Sequence, residues 1–111
     1  MMPIVTNQMV QDAFDWLNEN AGAAANAKAL KVRAEYKVKK TKARLFLQYE
    51  GTVADRESQA ITHDDYDKAI DTEVAAIEVD EWHRNQKDKC IAIIEAWRTE
   101  QANLRGMGKV G

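Results

Sequence analysis

The chain has 111 residues, enough for one domain at most. Its hydrophobic fraction is 45%, much of it alanine, with only 7% aromatic residues, 31% charged residues and one proline, the composition of a long helix or coiled coil. A net charge of −2 excludes a global basic field, and the single cysteine, Cys90, excludes an internal disulfide and fits a reducing compartment.

The N-terminal Met1-Met2-Pro3-Ile4-Val5-Thr6 lacks the basic region and apolar core of a signal peptide. No apolar run reaches ~18 residues, so no membrane span is expected and the expected location is cytoplasmic. Pro3 belongs to a short extended lead, and Thr6 or Asn7 is suited to cap a first helix. Met9, Val10, Ala13, Phe14, Leu17 and Ala21 recur at spacings of three and four, an amphipathic stripe. Gly22 either breaks this helix or is tolerated at a cost of ~1 kcal/mol. Beyond it the pattern resumes to about Glu50. Ala27, Leu30, Ala34, Val38, Thr41 and Leu45 form one seam, and Ala29, Val32, Tyr36, Ala43 and Leu47 form a second beside it. Two seams are wider than one partner helix covers. Gly51 ends the helix, and a connector over 51–61 has the residues for a short helical turn.

The stretch from Thr62 to Arg105 holds neither proline nor glycine and predicts a second long helix. Asp64, Asp65 and Asp67 crowd its first turn, where a helix favours negative charge. Gly106 and Gly108 are expected to close it, leaving 106–111 as a flexible tail. At 1.5 Å per residue such a helix is ~65 Å long, so something must lie along it. A hairpin about the connector would put residue i opposite roughly residue 112−i. Lys28, Lys31, Arg33, Lys37, Lys39, Lys40, Lys42 and Arg44 would then oppose a segment bearing Asp71, Glu73, Glu78, Asp80 and Glu81. Opposed blocks of opposite sign favour that pairing over slipped ones. The expected architecture is all-α: a long antiparallel, coiled-coil-like helical hairpin, completed by oligomerisation because a two-helix hairpin alone buries little surface.

Catalytic chemistry finds no support: there is no serine elbow, no cysteine paired with histidine, and no phosphate-cradling glycine loop. His63-Asp64-Asp65 and the Asp80/His83 pair contain ligand-type residues, but a helix N-terminus and a polar helix face explain them, so no metal or other cofactor is expected. Nucleic-acid binding is the functional reading the residues sustain. Lys37, Lys39, Lys40, Lys42 and Arg44 cluster beside Tyr36, Phe46 and Tyr49, a combination of phosphate contacts and stacking rings that suits single strands. The alternative is that these cations face the acids of the partner helix or solvent. Ile91, Ile94, Trp97, Arg98 and Arg105 form the candidate interface for a partner or second subunit, since tryptophan and arginine are frequent anchors.

The chain also resembles small helical proteins encoded in the early DNA-metabolism regions of tailed phages and prophages. The resemblance rests on Ala27-Lys28-Ala29, on Tyr36-Lys37-Val38-Lys39-Lys40-Thr41-Lys42-Ala43, on Arg56-Glu57-Ser58-Gln59-Ala60 with Tyr66, and on Trp97-Arg98-Thr99 with Asn103-Leu104-Arg105. It covers nearly the whole chain. It implies a non-enzymatic accessory factor of DNA recombination or replication in the cytoplasm of a bacterial host, with single-stranded DNA or a recombination protein as partner. A rival expectation is an inhibitor of a host defence or host enzyme, acting through the acidic segment from Asp64 to Glu81. A third is a helical spacer with no ligand. No small-molecule substrate is implied.

Overall fold

A computed structural model describes residues 4–110. The chain is all-α, an antiparallel hairpin of two long helices with a short one in the connector; no strand occurs among the described residues. The helices are α1 (Asn7–Gln48), α2 (Val53–Ile61) and α3 (Asp64–Val110). Pro3 of the expected lead and Gly111 of the expected tail lie outside the described residues.

Each helix starts at a polar cap. Thr6 caps α1, its Oγ1 accepting from the Met9 amide at 3.1 Å. Thr52 caps α2 in the same way, accepting from the Asp55 amide at 3.1 Å. The His63 ring caps α3, its Nδ1 accepting from the Asp65 amide at 3.0 Å, and three aspartates complete that first turn. Gly51, with φ of 121°, lets the chain turn between α1 and α2 in a conformation that side chains resist. Among the described residues the other glycines do not interrupt their helices. Gly22 lies within α1, and Gly106 lies within α3, so the helix expected to stop at Arg105 continues to Val110. Glycine permits a helix end but does not impose one. Nothing at Gly106 supplies a competing turn.

Burial follows a strict alternation of three and four along α1: Val10, Ala13, Leu17, Asn20, Ala24, Ala27, Lys31, Ala34, Val38, Thr41 and Leu45 are all buried or half-buried. This is the a/d seam of a coiled coil. Alanines fill much of it, which lets helices approach closely. Lys31 takes the core position that the sequence pattern assigned to Leu30, and Leu30 is 49% exposed.

The contacts fall into two compact units, Met1–Ala24 with His83–Gly111, and Ala25–Trp82. In the first, Ala13, Cys90 and Ile94 form a buried cluster bordered by Trp16, Leu17 and Ile93. The Glu100 carboxylate accepts from the backbone amides of Ile4 and Val5, fastening the lead to α3. The pairing here is displaced from the expected one. Asn7 meets Trp97 rather than Arg105, and Trp16 lies beside His83 rather than Ala96. In the second unit, Leu45 is fully buried, and Ala27, Ala34, Thr41, Ala60, Ala69 and Asp80 are buried around the same seam. Here the pairing is close to expectation: Lys31 meets Asp80, next to the expected Glu81, and Arg44 meets Asp65, one turn from the expected Lys68.

Candidate nucleic-acid interface

The five cations singled out from sequence separate into two groups on α1. Lys42 and Arg44 lie beside the seam and meet acids of the same unit: Lys42 Nζ lies 3.8 Å from Glu57 on α2, and Arg44 Nη2 lies 3.2 Å from Asp65 on α3. Both pairs are open to solvent, so they contribute little stability. They do neutralise the two cations nearest the hairpin's other helices. Lys37, Lys39 and Lys40 are exposed and make no ion pair among the described residues; Lys39 and Lys40 lie further round α1, whereas Lys37 lies on the same side as Arg44, one heptad before it. Arg33, which the sequence reading placed only in the general basic block, joins them.

These residues surround an apolar strip. Ala29, Val32 and Tyr36 line a shallow groove on the outer side of α1 together with Arg33, Lys37 and Lys40. This is the second seam expected from the sequence, and Ala29, Val32, Tyr36, Ala43 and Leu47 are all exposed. Tyr36 is 59% exposed, and the Lys39 ammonium stands 5.8 Å from the centre of its ring. One turn carries an aromatic ring and the next carries several unneutralised cations. Such a face can contact phosphates and stack a base. Lys37 also borders a second recess, with Arg44, Asp65 and Lys68, so the basic strip continues toward the α3 side.

Phe46 and Tyr49, the other aromatic residues expected beside the cluster, do not line the groove. Phe46 is half-buried under the Arg56 guanidinium, 4.1 Å from its ring centre, and Arg56 Nε donates to the Phe46 carbonyl at 3.1 Å. That arrangement fastens α2 to the end of α1. Sequence reasoning missed it because Arg56 stood in a connector with no apolar pattern. Tyr49 is half-buried, beyond the end of α1.

The second predicted group also separates. Ile94 is buried in the internal cluster of the first unit, so it is not available to a partner. Trp97 is half-buried and donates from Nε1 to Asn7 Oδ1 at 3.1 Å. Ile91, Arg98 and Arg105 recur every seven residues and form one exposed stripe on α3. Among the described residues no group of three or more histidines, cysteines or carboxylates is placed to hold a metal ion. No helix among them is long and apolar enough to cross a membrane.

No protein-family model, curated protein or solved structure matches this chain.

Proposed function

We propose that this protein is a non-enzymatic accessory factor of DNA recombination or replication that binds single-stranded DNA along the outer face of α1. The observation that carries the reading is the separation among its cations. Lys42 and Arg44 are neutralised within the fold, whereas Arg33, Lys37, Lys39 and Lys40 surround an exposed tyrosine without acidic partners among the described residues. A fold that needed all these cations for its own ion pairs would not leave four exposed and outside every ion pair among the described residues. The phage DNA-metabolism setting suggested by the sequence resemblance agrees with such a role.

Fluorescence anisotropy with a labelled single-stranded oligonucleotide tests the reading. Four phosphate contacts predict that the logarithm of affinity falls against the logarithm of salt concentration with a slope of about −3. Replacing Lys37, Lys39 and Lys40 together by alanine should weaken binding by an order of magnitude or more, and Tyr36→Ala by roughly tenfold. Replacing Lys42 and Arg44 should have the smaller effect. No binding at low salt, or equal sensitivity at all five cations, overturns the assignment.

A further inference from the structure

The outer faces of α1 and α3 in the second unit are complementary, and we propose that the outer face of α3 of one copy docks on the outer face of α1 of another. On α1 the apolar Val32 and Tyr36 lie among Arg33, Lys37 and Lys40. On α3 the exposed positions away from the seam include Asp64, Asp67, Asp71, Glu78 and Glu81, with Val74 among them, Trp82 at their C-terminal end and Lys68 at the margin. Val74 is 48% exposed and Trp82 is 52% exposed, large areas for apolar side chains on a helix whose other side carries the seam. Each face thus has apolar residues bordered by charge predominantly of one sign, and the signs are opposite. Charge of this kind selects the partner face and orientation, while the apolar residues supply the burial. Tryptophan is among the residues most often found to anchor an interface.

The two faces point away from the shared seam in opposite directions. A copy docked through its α3 therefore still presents its own α1 face, and the first copy still presents its α3 face. The contact is heterologous: it either continues into longer assemblies or closes into a ring. It also places protein acids where the proposed function places phosphates. Nucleic acid and a second copy then compete for one basic strip. The docking inference does not depend on the nucleic-acid reading, because it rests on the protein's own two faces.

Sedimentation velocity of the full chain at low salt, over a concentration series without nucleic acid, is the test. The mean mass should rise with concentration and fall back when salt is added. The variant carrying Lys37→Glu and Lys40→Glu should lose association by at least tenfold in affinity, and so should the variant carrying Asp71→Lys and Glu78→Lys. An equimolar mixture of the two should associate again, because each reversed face then meets its reversed counterpart. All four positions are exposed and lie outside the ion pairs that hold the fold. Trp82→Ala should weaken assembly without restoring any charge. A protein that stays monomeric, association that survives both reversals, or a mixture that stays apart overturns the inference. Asp71→Lys with Glu78→Lys should leave oligonucleotide binding in place, so loss of assembly with retained binding defeats this inference alone. Assembly without oligonucleotide binding defeats only the function proposed above.

Discussion

Lys31 occupies a core position of the α1 seam and reaches the carboxylate of Asp80 at 3.5 Å, with Asp80 only 4% exposed. A lone charged pair among alanines stabilises little in itself, since both groups lose water to form it. Its effect is to select one pairing, as a single polar core residue does in coiled coils. Lys31→Ala should cost about 2 kcal/mol in denaturant unfolding, mostly by leaving a buried carboxylate without its cation. Replacing both residues by apolar ones, Lys31→Met with Asp80→Leu, should restore that loss while broadening amide resonances in the second unit as pairing becomes less specific. Glycine supplies a second contrast. Gly22 is helical and a Cβ there would meet nothing within 4 Å, so Gly22→Ala should stabilise by ~0.5–1 kcal/mol. Gly51 has φ of 121°, so Gly51→Ala should destabilise by ~1 kcal/mol, and thermal unfolding distinguishes the two directions. The placement of Lys31 was legible in principle. Counting three and four onward from Val10 reaches it, whereas a preference for apolar residues led to Leu30.

The helices themselves were the most legible level, for reasons that differ between their two ends. Threonine, aspartate and histidine caps mark starts because they satisfy specific amides, and Thr6, Thr52 and His63 all do so. Ends were less legible, because a glycine such as Gly106 allows either outcome. The pairing of α1 with α3 was readable where charge specifies it. In the second unit Lys31 and Arg44 find acids close to the expected positions. The first unit has only a sparse acidic set on α1, Asp12, Asp15 and Glu19, against an α3 segment of mixed charge. There the close packing of Ala13 with Cys90 and Ile94, and the bond from Trp97 to Asn7, set a displaced pairing that charge counting could not show. This distinguishes two isoleucines that the sequence reading had grouped together. Ile94→Ala should cost roughly 2–4 kcal/mol and raise hydrogen exchange throughout the first unit. Ile91→Ala, on the exposed stripe, should cost well under 1 kcal/mol. Similar losses at both would contradict the core assignment.

At the scale of the molecule, a net charge of −2 conceals faces of opposite sign. Composition alone argued against nucleic-acid binding, because a sum over all residues carries no information about which side of a helix each one occupies. The seam decides that. Once Lys31, Ala34, Val38 and Thr41 point inward, Arg33, Tyr36 and Lys40 must point outward, with Lys37 at the edge of the seam. Ionic strength then acts on both proposed associations at once, since each depends on the same unneutralised strip. At fixed protein concentration, added oligonucleotide should lower the assembled fraction and added salt should lower both that fraction and oligonucleotide binding. An oligonucleotide that instead increased assembly would show that the strip is not shared.

Of the three tryptophans, Trp16 and Trp97 are half-buried and Trp82 alone is mostly in water. The protein therefore contains its own optical gauge. With Trp16→Phe and Trp97→Phe in place, all indole emission would come from position 82. Its colour would move toward the blue as neighbours cover that ring, and would return to the red when a competitor frees it.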